Sequence, residues 1–166
     1  DRNSSHPEIL AGRDLQAGGT WLGISRAGRF AALTNFRQPE NRTTVAPSRG
    51  ALVSDFLAGT MTAEKYLDGL QTRAADYRGF NLLCGTLDDG LWHYANRGQA
   101  GETGHFMQPL APGIFGLSNN LLNVPWPKVA QGKSELAQAL TALPHETPLF
   151  ELLHDEKHYE DDRLPR

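Results

Sequence analysis

Two runs of strand-forming residues, Phe80 to Thr86 and Leu91 to Asn96, stand on either side of Asp88-Asp89-Gly90. A short Asp-Gly turn between such runs favours an antiparallel hairpin, because the left-handed backbone it needs is open to glycine and tolerated by Asp. The pattern recurs upstream. Thr20 to Ser25 is rich in β-branched and aromatic residues, Arg26-Ala27-Gly28 makes a tight connection, and Arg29 to Asn35 reads as the return strand. A chain with two hairpins of this kind builds its core on antiparallel sheet.

Helices are expected between and after the hairpins. Ser48 is placed to cap a helix from about Arg49 to Leu57, with Gly59 as its stop. Ala63, Leu67, Leu70 and Ala74 recur at helical spacing. Pro125-Trp126-Pro127 opens a third helix, in which Leu136, Leu140 and Leu143 share a face before Pro144. Leu149, Phe150, Leu152 and Leu153 indicate a short fourth helix, and further strands are read at His105 to Gln108 and at Gly113 to Ser118. The order of elements predicts an α+β fold of antiparallel sheets covered by helices. No repeat or low-complexity linker divides residues 1–166, which read as a single domain. Both ends read as cut, at Asp1 in a polar stretch and at Leu164-Pro165-Arg166 after an acidic run, so the expectation is an interior fragment.

Charge and cysteine usage narrow the function classes. A net charge of −3 excludes nucleic-acid binding driven by bulk positive charge. No apolar run approaches the roughly 20 residues of a membrane-spanning helix. Cys84 is the one cysteine, so no disulfide staples the chain, and a cytoplasmic address is the expectation.

Few residue patterns announce chemistry. Cys84 sits mid-strand beside Leu82 and Leu83 and reads as structural. His154 and His158 are one helical turn apart, but Asp155-Glu156-Lys157 between them does not match a zinc-protease helix, so no metal is expected. His93 reads as an ordinary strand residue. Gly18-Gly19 and Gly23 precede a strand instead of linking a strand to a helix, so no nucleotide-type cofactor is expected. Residues 26 to 49 hold five arginines against one acid, Glu40. Arg26, Arg29 and Arg42 read as surface residues, while Arg37 and Arg49 are candidates for holding a carboxylate or phosphate. Asn35 and Asn119 close strand-like runs, where an amide can reach a cleft; on spacing alone each reads as a turn or cap residue.

The stretches Leu10 to Gly23, Ala32 to Arg37, Ser48-Arg49-Gly50, Gly79 to Leu82, Tyr94 to Gly98, Gly116 to Asn119 and Pro125 to Val129 together resemble the NRDE family, also called the transport and Golgi organization protein 2 family, and their wording is similar to its bacterial branch. They cover most of the chain in the family's order, with Asn123 a departure from an expected Asp. The resemblance implies a fold like the N-terminal nucleophile hydrolases, in which helices sandwich two antiparallel sheets. It also implies a Cys after the initiator Met and an Asn-Arg-Asp-Glu tetrad; this chain contains neither. Links to secretory-pathway organisation, acyl-CoA and lipid homeostasis and haem trafficking come with it.

Two functional expectations follow. In the first, a thiol upstream of this chain hydrolyses an amide or ester, with Asn35 and Asn119 orienting substrate or stabilising an oxyanion. In the second, the chain binds an anionic amphipathic ligand such as acyl-CoA or haem without catalysis. Arg37 and Arg49 then hold the anion, and Trp21, Phe36 or Trp126 pack on its apolar body.

Overall fold

The structure, a computed structural model, describes residues 8–36, 46–98 and 105–156. They fall into two compact units, the first comprising the chain to Ala111 together with Asn119–Leu121 and the second comprising Pro112–Ser118 and the chain from Leu122.

The first unit is an antiparallel meander carrying two helices. Its strands are β1 (Ile9–Ala11), β2 (Leu22–Ser25), β3 (Arg29–Asn35), β4 (Phe80–Thr86), β5 (Gly90–Ala95) and β6 (Phe106–Leu110), paired in chain order in one six-stranded sheet. Gly28 and Gly90, each at φ +71°, supply the left-handed residues of the two expected hairpins. The pairings Arg29 with Thr86, Asn35 with Phe80, and Thr86 with Gly90 set the central register.

Helices α1 (Gly50–Ala58) and α2 (Ala63–Gln71) lie on one face of this sheet. The strand period of two puts Ala31, Leu33, Phe80, Leu82, Cys84 and Tyr94 on that face. They form one core with Leu52, Val53 and Phe56 of α1 and Tyr66, Leu67 and Leu70 of α2. Gly23 lets α1 approach: a Cβ there would stand 2.6 Å from a Leu57 methyl. Cys84 is wholly buried in this core, and burial pushes its thiol up to about 12, as suits a structural cysteine.

The opposite face carries three cross-strand rows. One runs Leu10, Ile24, Phe30, Gly85, Leu91, Leu110; the next Leu22, Ala32, Leu83, His93, Gln108; the third Thr34, Asn81, Ala95, Phe106. Neither α1 nor α2 covers these rows. Leu10 is 73%, Leu22 58%, Ile24 48%, Phe106 41% and Leu91 40% exposed.

The second unit holds α3 (Pro127–Thr141) and α4 (Thr147–Leu153), packed on each other. Pro127 opens α3 as expected, but Leu140 and Leu143 are exposed and only Ala139 of that helix is buried.

Several expectations need correction. One antiparallel sheet is present among the described residues where the resemblance implied two. The stretch from Gly113 to Ser118 is not a strand. The Gly116 N–H donates to Asn123 Oδ1 at 3.0 Å and its carbonyl accepts from the Asn123 N–H at 2.8 Å, a local loop that takes the groups a sheet ladder would use. Ser48 does not cap α1; Arg49 occupies the cap position and sends its side chain elsewhere. Strand β1, three residues long, carries too little pattern to be read from sequence. Arg29 is buried, not a surface residue: Nε donates to the Phe56 carbonyl and Nη2 to that of Met61, both at 2.8 Å, and the guanidinium lies 4.0 Å over the Phe56 ring. Arg26 does stand on the surface, paired with Glu8 at 3.2 Å, while Arg42 lies outside the described residues.

Candidate functional site

In an antiparallel meander the starts of β2 and β4 lie beside the ends of β3 and β5. That end of the sheet gathers residues far apart in sequence. The Trp21 carbonyl accepts from the Leu33 N–H at 2.9 Å just before β2. The Gly79 carbonyl, just before β4, accepts from the Phe36 N–H and from Arg49 Nη1, each at 2.9 Å. No side chain fits at Gly79, where a Cβ would lie 2.9 Å from Phe36 Cβ.

Asn96 fastens the same end from β5. Its buried side chain accepts from the Phe80 N–H at 2.8 Å and donates to the carbonyls of Ala74, Tyr77 and Arg78 at 2.9–3.3 Å. Arg97 donates to the carbonyls of Asn96 and Tyr77.

The two asparagines picked out at strand-like ends meet here. Asn119 Nδ2 donates to the Asn35 carbonyl oxygen at 3.0 Å across 84 positions of sequence. A carboxamide has two N–H donors and an acceptor oxygen, so this bond orients the Asn119 side chain and uses one donor. Arg49 and Trp21 also meet, the guanidinium lying 5.6 Å from the ring centre, with Trp21 37% exposed. Arg37 lies outside the described residues. Trp126 belongs to the second unit, where it is buried at the start of α3 with the Lys128 ammonium 5.4 Å over its ring.

Sequence reading passed over a buried polar pair one row in from this end. Asn81 Nδ2 donates to Thr34 Oγ1 at 3.3 Å and to the Asn120 carbonyl at 3.0 Å, and Asn81 Oδ1 lies 3.2 Å from His93 Nε2. Burial holds the imidazole neutral, lowering it to about 4. The available signal was a polar residue in phase with Leu83 on a strand whose neighbours are apolar; strand pairing turned that into a contact between Asn81 on β4 and His93 on β5.

No cluster of three or more His, Cys, Asp or Glu among the described residues is arranged to hold a metal ion. His154 Nδ1 lies 2.7 Å from the Phe150 carbonyl, and His158 is outside the described residues. No helix among the described residues is long and apolar enough to cross a membrane. A cleft of about 450 Å³ in the second unit is lined by Glu135, Glu151 and Asp155 with Ala139, Pro148 and Leu152, and carries none of the candidate catalytic or ligand-binding residues.

The family model for Transport and Golgi organisation 2 matches residues 1–166. The chain is similar to the mouse Transport and Golgi organization 2 homolog, 39% identical over 97% of this chain and 59% of the mouse protein. It is 40% identical to the bovine homolog over 90% of this chain and 55% of that protein, and 39% identical to the human homolog over 95% and 58%. The chain thus spans a little over half the length of these relatives. All three are mammalian and do not bear on the bacterial wording of the motifs.

Proposed function

The chain belongs to the Transport and Golgi organisation 2 family, and from that premise we propose that the polar end of the sheet serves an N-terminal-nucleophile amide or ester hydrolase. A cysteine thiol at the N-terminus of the full-length protein attacks a carbonyl, with the terminal amine taking the thiol proton. The Asn119 carboxamide, with Asn35, donates to the oxyanion that forms. The observation that carries this reading is the Asn119–Asn35 bond, which holds a donor side chain in fixed orientation at a strand end.

The bare sheet face supports the two-sheet sandwich that this reading needs. Apolar rows on both faces are the pattern of a sheet buried on both sides. The relatives are long enough to supply a second layer, since this chain spans only 55–59% of them.

The test is the intact mass and N-terminal sequence of the full-length protein made from its native gene. A processed N-terminal Cys is expected, and a mature chain starting without a free nucleophile removes this route. Asn119→Ala is expected to lower kcat about a hundredfold with little change in stability. Unchanged turnover removes Asn119 from the mechanism.

A second reading, binding without catalysis, is favoured by the Arg49 guanidinium over the half-exposed Trp21 ring. Cation and aromatic surface together suit an anionic amphipathic ligand of the acyl-CoA or haem kind. Titration of the full-length protein with either ligand checks it, and no saturable binding at micromolar levels rules it out.

A further inference from the structure

On the face that the helices leave bare, Asn81 is fully buried on β4 and His93 is 2% exposed on β5. Their hydrogen bonds have only one consistent assignment. A peptide carbonyl accepts and never donates, so the Asn120 carbonyl, 3.0 Å from Asn81 Nδ2, fixes the carboxamide with its nitrogen toward residue 120. Asn81 Oδ1 then faces β5 and accepts from His93 Nε2 at 3.2 Å. The neutral ring therefore carries its hydrogen on Nε2, which leaves the lone pair on Nδ1, an atom with no hydrogen-bond partner among the described residues.

This pair holds a segment that also carries an internal bond, from the Leu121 N–H to Asn120 Oδ1 at 2.7 Å. Asn119–Leu121 forms no helix or strand. Its backbone is grasped at the Asn120 carbonyl by Asn81, and its side chain at residue 119 reaches the Asn35 carbonyl. Thr34, one residue before Asn35, accepts a second bond from Asn81 Nδ2 at 3.3 Å. One buried carboxamide thus ties β3, β5 and the 119–121 segment together.

We propose that Asn81 and His93 are positioning residues: by holding the Asn120 carbonyl they set the Asn119 carboxamide at the end of β3. His93 orients Asn81, Asn81 anchors residue 120, and residue 119 follows. The idea rests on the role proposed for Asn119, and the experiments separate the two.

The full-length protein is measured first by NMR without any substitution. The His93 imidazole nitrogens should report the Nε2–H tautomer at neutral pH; the Nδ1–H tautomer overturns the assignment and the proposal with it. Hydrogen exchange at the Asn119 side-chain amide is then compared across variants whose β3 and β5 backbone amides remain protected. His93→Leu removes the donor to Asn81 and should speed that exchange about tenfold or more. His93→Gln, whose side-chain amide can stand in for Nε2–H, should restore most of the protection. If His93→Leu does not fold, Thr34→Val, which takes away one acceptor of the same carboxamide, should give a smaller change in the same direction. Exchange unaltered in the folded variants overturns the proposal.

Turnover of p-nitrophenyl butyrate distinguishes failure of this inference from failure of the reading beneath it. Where Asn119 acts on the substrate, His93→Leu lowers kcat about tenfold with KM little changed, and His93→Gln recovers it. Faster Asn119 exchange with unaltered turnover upholds the positioning and overturns the catalytic role of Asn119.

Discussion

The two faces of the one sheet are built from similar strands and end in different circumstances. On one face Phe80, Leu82 and Tyr94 are wholly buried beneath α1 and α2. On the other, Leu22, Ile24, Leu91 and Phe106 keep between two fifths and three fifths of their surface in solvent. Scattered apolar side chains on a surface need no explanation, but cross-strand rows of them mark a contact surface. The bare face also holds the buried polar pair Asn81 and His93, while the helix-covered side buries the Arg29 guanidinium against the Phe56 and Met61 carbonyls. The difference teaches that one strand alternation can bury one face under helices while leaving apolar rows of the other in solvent, and that polar side chains are buried on either face where a partner is found.

The contrast is open to attack by substitution, the largest effects first. Phe80→Ala on the covered face removes a ring packed edge-on to Tyr77 and stacked on Tyr94, and is expected to cost about 4 kcal/mol by urea denaturation. A loss below about 1 kcal/mol would make the two faces equivalent. Acid acts on the bare face through His93. Its folded pKa of about 4 lies below its unfolded value near 6.5, so between those values the unfolded chain binds a proton that the folded chain refuses. Stability conferred by the neutral ring is therefore complete above pH 6.5, falls by roughly 3 kcal/mol as the pH drops to 4, and changes little below that. A His93→Gln variant should lack this component of the pH profile.

Tyr66→Phe probes the helix layer. The hydroxyl donates to the Leu52 carbonyl at 2.8 Å in the core, and its loss should cost about 1 kcal/mol in the same denaturation experiment. The smallest effect is expected at Ile24→Ser, within about 0.5 kcal/mol for this chain by itself, because the side chain is already half in water. In the full-length protein the same substitution should cost about 2 kcal/mol where a second sheet covers the face. Equal costs in the two settings would leave the face uncovered and remove the support it lends to the sandwich.

Much of the fold was legible in local chemistry. Asp88-Asp89-Gly90 and Arg26-Ala27-Gly28 announced hairpins because glycine at positive φ is a strictly local requirement, and Gly28 and Gly90 adopt it. Helices α1 and α2 followed from apolar spacing and stop signals. Gly113 to Ser118 misled because its composition suits a strand, while the bonds between Gly116 and Asn123 take up backbone groups that a strand would need. Arg29 misled because composition ranks arginine as exposed, and nothing local reveals two carbonyls waiting at the end of α1 and at Met61. Of the candidate site, Asn35, Asn119, Arg49 and Trp21 were visible as residue types, but their meeting in two pairs was not.

The sequence by itself determined the two hairpins and the buried face of α2, since turn chemistry and periodicity act over a few residues. The tertiary structure decided which strand ends share an edge, which face the helices take, and that Asn81 meets His93 while Asn119 meets Asn35 across 84 positions. Those outcomes depend on sheet order and register, and on where a loop returns. These are set by burial and hydrogen bonding among distant segments, for which the local sequence holds no record.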